Sequence, residues 1–303
     1  MNKDLTILVT GGSGQVGSEI RHSSKTENIS FLFPSSKELD IKEESSIKSF
    51  FDKNNFDLII NCAAYTDVDN AENYKKSAEQ VNHLGAEFIA KQSFLKNIGL
   101  IHISTDYVFG ASSNGPFFPT SKKDPLNFYG LTKSLGEEAV LEANNKSIVI
   151  RMASIYSKFG NNFVKTICSK ILESNEIKVV SDQLISLSSA KSFSDNISGI
   201  VNLYYKLIKK DNFDPRIIHF TDKEYTSWFS VASVINDEIN KIIKSEKECN
   251  IIPITADNWK SIAKRPLDTR LEVDFNFFEK NNIFLENWEN NVRSLVNSIL
   301  KNQ

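Results

Sequence analysis

The sequence predicts a doubly wound α/β protein, an open parallel sheet with helices on both faces, joined to a smaller C-terminal α/β domain that holds substrate. Short, β-branched, nearly continuous apolar runs recur at 5–10 (LTILVT), 29–33, 58–63, 99–104 and 147–151, as expected of parallel strands covered on both sides. The segments between them are long enough for helices, and that alternation is the mark of a parallel sheet. A glycine-rich turn, VTGGSGQVGSEI, follows the first run directly.

Composition sets the outer bounds. With 303 residues and 40% apolar content, the chain can bury a sizeable core and divides into one larger and one smaller domain. The expected division assigns 1–154 and 188–221 to the sheet domain, and 155–187 with 222–303 to the substrate domain. A net charge of -2, without any extended Lys/Arg block, gives no field for gathering nucleic acid. Cys62, Cys168 and Cys249 have no metal-like spacing; they suit a reducing compartment, and no metal site is expected. The first apolar run is too short for a signal-peptide core or a membrane span, so the expected location is the cytoplasm, with no membrane partner.

The longest helical candidate is 72–97, where Val81, Leu84, Phe88 and Phe94 fall roughly on one face. Gly85 inside it marks either a break or a close packing point. A second candidate covers 189–210. Past 221 the alternation is lost: TSWFSVASVINDEINKII reads as helix, CNIIPI as a short strand and WENNVRSLVNSIL as a terminal helix.

Gly11, Gly14 and Gly17 stand three apart after the first strand, and Gly12, Gly14 and Gly17 satisfy G-x-G-x-x-G. Such glycines make a tight turn and leave room for a pyrophosphate at a helix N-terminus, where the dipole favours anions. The sheet is therefore expected to be of the Rossmann type. The second strand ends in FPSSK, with no carboxylate to hold the ribose hydroxyls of NAD. Ser35, Ser36 or Lys37 can face a 2'-phosphate, so NADPH is the expected cofactor, with NADH possible. Asp40 and Ile41 either line the adenine site or, for Asp40, cap the helix in KEESSIKSFF.

The run GLIHIST ends at Ser104 and Thr105, at the carboxyl edge where open α/β sheets bind ligands. Tyr129 and Lys133 are i and i+4 on the helix in YGLTKSLGEE, so they share a face. Reducing a ketone needs a hydride donor, a proton donor at the carbonyl oxygen, and something that makes a phenol with a pKa of about 10 usable. Tyr129 supplies the proton on this reading, Lys133 steadies the phenolate and holds the nicotinamide ribose, and Thr105 orients the carbonyl.

These residues sit in segments that resemble the extended short-chain dehydrogenase/reductases, and within them the dTDP-4-dehydrorhamnose reductase family: TGGSGQVG, IINCAAYTDVDNAE, VNHLGAEFIA, STDYVFGA, PLNFYGLTKSLGE and AKRPLDTRL among others. The likeness runs along nearly the whole chain. It implies NAD(P)H-dependent reduction of a nucleotide-linked 4-keto-6-deoxy sugar, with Thr105, Tyr129 and Lys133 as the catalytic set. It places the cofactor against Gly11, Gly14, Gln15, Val16, Gly17, Asp40, Ile41, Ala63, Ala64, Tyr65 and Asn82. The substrate side falls on Val68, Tyr107, Asn162 and Arg265, and the resemblance allows a homodimer. Each of these four has a structural alternative: core for Val68, a packed aromatic for Tyr107, a helix cap for Asn162 and an interdomain ion pair for Arg265. Two stretches depart from the family pattern. RMASIY puts Ser154 where a Trp against the sugar is common, and LISLSS at 184–189 replaces a Gly-x-Pro-Thr-like segment. Both lie on the substrate side, so another 4-keto sugar is the closest rival reading. A non-catalytic NADP-binding subunit is the remoter one. A Trp buries up to about 250 Å², so its loss predicts a wider pocket or one filled by Tyr107, Phe159 or Phe163.

Overall fold

The structure, a computed structural model, describes residues 4–23, 26, 28–209, 216–243 and 249–301. The chain runs through β1 (Leu5–Thr10), α1 (Gln15–Ser23), β2 (Ile29–Leu32), α2 (Glu44–Lys53) and β3 (Leu58–Asn61). It continues with α3 (Val68–Asn73), α4 (Lys75–Glu79), a π-helical turn (Gln80–Gly85), α5 (Ala86–Leu95) and β4 (Gly99–Thr105). After α6 (Phe128–Ala143) and β5 (Ser147–Met152) come β6 (Ile155–Tyr156), α7 (Phe163–Glu173), β7 (Glu176–Val180), β8 (Leu184–Ile185) and β9 (Ser188–Ser189). The remainder holds α8 (Ala190–Asp195), α9 (Ile197–Leu207), β10 (Ile217–His219), β11 (Thr226–Ser227), α10 (Trp228–Ile243), β12 (Asn250–Ile254), α11 (Phe275–Glu279) and α12 (Trp288–Leu300).

The expected doubly wound parallel sheet is present. Six strands lie in the order β10-β5-β4-β3-β1-β2, every neighbouring pair parallel. Alternate side chains of each strand point to opposite faces. Ile7, Val9, Ile60, Ile101 and Ile148 pack with α1, α8 and α9 through Ile20, Phe193 and Ile200. Leu8, Ile59 and Leu100 pack on the other face with α2, α5 and α6 through Phe51, Ile89 and Val140. Chain order reverses between β1 and β3, and that is where a crevice opens beyond the strand ends.

A second apolar cluster joins α7, β7, α10 and α12 through Ile167, Val179, Ile235 and Val292, with β7 and β12 paired in parallel. This is the smaller α/β unit. Val273, Phe278, Ile283 and Leu285 return to the core of the main sheet, so the C-terminal segment serves both cores. Among the described residues no helix is long and apolar enough to cross a membrane.

Two helical expectations are corrected. The candidate over 72–97 is not one helix: α3 ends at Asn73, α4 follows, and Gln80–Gly85 widens into a π turn. The extra residue in that turn rotates the face, so the buried side is Asn82, Gly85, Ala86, Ile89 and Ala90, while Phe94 is exposed. A Cβ on Gly85 would lie 2.9 Å from the Ile41 carbonyl oxygen, which makes it a close packing point. The candidate over 189–210 divides at Asn196, whose side chain donates to the carbonyls of Ser192 and Phe284 and accepts from the Phe284 N–H; residue 210 lies outside the described residues.

Helix α6 meets the sheet through charge. Arg151 on β5 donates to both carboxylate oxygens of Glu137, each at 2.8 Å, and both residues are at most 1% exposed. Its other nitrogen reaches the Pro119 carbonyl and His219 Nε2. Removing one partner of such a pair strands a buried charge. Arg151→Met should therefore cost about 3–5 kcal/mol in urea unfolding, and adding Glu137→Leu should recover most of the loss.

Candidate active site

The glycine turn works by close approach. Gly11 has φ +66, and a Cβ there would sit 2.6 Å from the Ala63 nitrogen and 2.7 Å from the Cys62 carbonyl carbon; β1 and β3 thus meet backbone to backbone at the crevice. At Gly17 a Cβ would sit 2.4 Å from the Gly11 oxygen, so α1 packs directly on the turn. Gly14 meets only that oxygen, at 3.3 Å, and its outer side is open. The resulting cleft of about 910 Å³ is lined by Gly11, Gly14, Gln15, Val16, Asp40, Ile41, Ala63 and Ala64, which suits a dinucleotide laid along the helix N-terminus.

Not every expected cofactor residue lines it. Asn82 is buried and works on the backbone: its amide accepts from the Tyr65 N–H at 2.8 Å and donates to the Tyr65 carbonyl at 3.0 Å and to Thr132 Oγ1 at 3.1 Å. The π turn is what brings it inward. Lys37 is exposed and outside the cleft lining; Ser35 and Ser36 do line it, with the Ser35 N–H and hydroxyl both given to Glu38, holding that carboxyl below its usual range. Asp40 is not a helix cap, since Glu43 holds that position; its carboxylate accepts from the Lys42 N–H. Two cations line the cleft among the described residues, Lys42 and Arg21, the latter stacked 4.6 Å above the Phe33 ring. Sequence reasoning missed Arg21, and its signal was Gly12, where a Cβ would lie 2.7 Å from the Arg21 guanidinium.

Asn127 caps α6 by accepting from the Gly130 N–H, so Tyr129 stands in the first turn. Cβ atoms on Gly130 and Gly136 would each lie 2.1 Å from a carbonyl oxygen, of Tyr107 and Asn82 respectively; the helix is seated at backbone contact. Burial pushes the Tyr129 hydroxyl up to about 12, with Thr105 drawing it back in part. Burial also brings Lys133 down to about 8, against the opposing pull of Glu137 and Cys62. Lys133 Nζ donates to the Ile103 carbonyl at 2.7 Å and lies 3.4 Å from His102 Nε2. Thr105 Oγ1 donates to Asp106 and accepts from the Tyr107 N–H.

A second cleft, of about 660 Å³, is lined by Tyr107, Arg265, Phe163, Trp228, Trp259, Lys170 and Lys178 among others. The Tyr107 ring stands edge-on to Tyr129, centroids 6.0 Å apart. Arg265 makes the ion-pair alternative: it is bidentate to Asp69 on α3, at 2.9 and 3.2 Å. Asn162 is a helix cap that also donates to Gln15 at 3.0 Å, tying α7 to α1. Val68 and Ser154, the latter at φ +43, are outside the cleft lining. Phe163 faces the cleft, but Phe159 stacks on His22 instead. The indole faces come from Trp228, in a stretch that also resembles the family, YTSWFSVA, and from Trp259; neither was among the expected pocket residues.

Burial raises the Asp106 carboxyl to about 6, with the hydrogen bond from Thr105 offsetting only part of the rise. A carboxyl raised on folding stabilises the fold at low pH and loses that contribution as pH climbs through the folded value. Relative to Asp106→Asn, the wild type should lose stability from about pH 4 to about pH 6 and then level off. Urea midpoints of both proteins across that range check this.

A family model described as the RmlD substrate binding domain matches residues 5–301. The dTDP-4-dehydrorhamnose reductase of Aggregatibacter actinomycetemcomitans is 32% identical, over 88% of this chain and 90% of its own length. The spore coat polysaccharide biosynthesis protein SpsK of Bacillus subtilis is 30% identical, covering 86% of each. Among solved structures, the dTDP-4-dehydrorhamnose reductase of Bacillus anthracis in complex with NADP superposes with a TM-score of 0.83 at 28% identity, over 96% of this chain and 98% of that one. The enzyme of that name from Yersinia enterocolitica gives 0.85 at 26% identity, over 97% and 99%. With the glycine cradle and the Thr105, Tyr129 and Lys133 grouping already in place, these matches show that the chain belongs to the dTDP-4-dehydrorhamnose reductase family.

Proposed function

We propose that the protein reduces the 4-keto group of a nucleotide-linked 4-keto-6-deoxy sugar with NADPH, and that its substrate is dTDP-4-dehydro-L-rhamnose, giving dTDP-L-rhamnose. The observation that carries this reading is the place of Tyr129. On one side its ring meets Tyr107, which lines the second cleft. On the other side, Lys133 on the same helix face bonds to the Ile103 carbonyl of β4, which pairs with β3, and Cys62 to Ala64 just past β3 line the glycine-turn cleft. The relatives from Aggregatibacter actinomycetemcomitans, Bacillus anthracis and Yersinia enterocolitica are dTDP-4-dehydrorhamnose reductases, and the Bacillus anthracis structure holds NADP.

The bound nicotinamide would supply hydride to C4. Tyr129 gives its phenolic proton to the carbonyl oxygen, and the Thr105 hydroxyl orients that oxygen. The aromatic faces of Phe163, Trp228 and Trp259 give the second cleft stacking surfaces. Lys170 and Lys178 bring positive charge suited to a diphosphate, since Arg265 already grips Asp69. Because Ser154 stands where a Trp against the sugar is common and lies outside this cleft, a sugar configured differently from rhamnose is the second reading.

Arg21→Ala should weaken NADPH binding at least about tenfold while leaving NADH nearly unchanged, because only the 2'-phosphate needs the guanidinium. Fluorescence titration with both nucleotides reads this; an equal loss for both would remove Arg21 from phosphate recognition. Tyr129→Phe should lower turnover by roughly 10²- to 10⁴-fold with NADPH affinity retained. The substrate is decided by incubating the protein and NADPH with dTDP-, GDP-, UDP- and CDP-linked 4-keto-6-deoxy sugars and assigning C4 of the product by NMR. Preferential turnover of a non-dTDP sugar would overturn the rhamnose assignment, and no turnover of any would overturn the reductase reading.

A further inference from the structure

Beneath α6 runs a hydrogen-bonded chain whose polarity the backbone sets. The Thr10 hydroxyl donates to Asn61 Oδ1 at 2.6 Å, and the Ala63 N–H donates to the same oxygen at 3.3 Å. A backbone N–H can only donate, so turning the amide over would set N–H against N–H. Asn61 Nδ2 therefore donates to His102 Nδ1, 3.0 Å away. A neutral imidazole that accepts at Nδ1 carries its proton at Nε2, and burial, helped by the nearby Lys133 charge, keeps His102 neutral.

That Nε2 lies 3.4 Å from Lys133 Nζ. An ammonium has three donors and no acceptor, so its charged form meets an N–H there. A neutral amine fits both neighbours: it donates to the Ile103 carbonyl at 2.7 Å and accepts from His102. The other groups facing Lys133 are Glu137, one turn on along α6, and Cys62, beyond β3. Glu137 favours the ammonium but is already engaged by Arg151, and burial pushes the Cys62 thiol up to about 12, leaving it uncharged.

We propose that His102, its tautomer set by Asn61, is a positioning residue that makes Lys133 a titrating group at working pH instead of a permanent cation. One helical turn from Tyr129, Lys133 then takes up or releases a proton during turnover. The inference rests on the reductase reading for the role of Tyr129, but the titration itself does not depend on any substrate.

The test is NMR of the cofactor-free protein labelled with ¹⁵N at lysine and histidine. His102 should be protonated at Nε2, and Lys133 Nζ should titrate at about 8. In Asn61→Asp the carboxylate can only accept, so the imidazole proton should move to Nδ1, and the Lys133 midpoint should rise by at least about one pH unit. The alkaline limb of kcat should follow it. His102→Gln can turn its carbonyl to Asn61 and its NH2 to Lys133, and should keep the wild-type midpoint to within about half a unit. A wild-type His102 protonated at Nδ1 would overturn the proposal. So would a Lys133 midpoint in Asn61→Asp that stays put, or one that rises while the imidazole proton remains on Nε2. A sugar panel without turnover, with these results intact, would overturn the reductase reading and leave the titration of Lys133 standing.

Discussion

Helix α6 is held to the sheet by a buried ion pair, and the geometry of the site depends on it. Tyr129, Lys133 and Glu137 follow one another at i, i+4 and i+8 along one face of the helix. Glu137 is gripped at both oxygens by Arg151, which is itself fixed by Pro119, His219 and the Phe109 ring 4.8 Å from its guanidinium. Planar two-point contact sets orientation as well as distance. Apolar packing alone would let the helix roll by small amounts; this contact does not. The phenol of Tyr129 inherits that fixity, and the bond of Lys133 Nζ to the Ile103 carbonyl of β4 is the other end of the same frame.

The two clefts are not independent. Gln15, at the start of α1, accepts from Asn162 at the start of α7, and Glu19 one turn on accepts from the Ser157 hydroxyl at 2.7 Å. The helix whose N-terminus faces the first cleft is thus hydrogen-bonded to the segment that begins one wall of the second. Asp69 and Arg265 make a similar tie on the opposite side, between α3 and the loop after β12.

Much of this was legible in the sequence because it is local. Burial on both faces gives strand runs that read plainly, and the glycine turn and the Tyr129 and Lys133 spacing follow from backbone geometry at short range. The terminal helix WENNVRSLVNSIL matches α12 residue for residue. What could not be read depends on partners far along the chain. The π turn brings Asn82 to Tyr65 and Thr132, and apolar periodicity carries no trace of those partners. Arg21 gains its place from Phe33 across the cleft, while Trp228 and Trp259 reach the second cleft only through the packing of the C-terminal unit. Ser35 looked free until Glu38 claimed it.

The π turn also bears on how such a chain can change over generations. Deleting one residue from Gln80–Gly85 would restore regular α-helical bonding and so improve the segment locally, yet it would swing everything on one side of the lesion by about 100° relative to the other. Asn82 would leave Tyr65, and the residues from Ala86 onward would lose their seat on the sheet. A length change there is therefore closed to drift even though the helix taken by itself would welcome it. Substitutions at the exposed positions of the same stretch, such as Lys75 and Lys76, meet no such barrier.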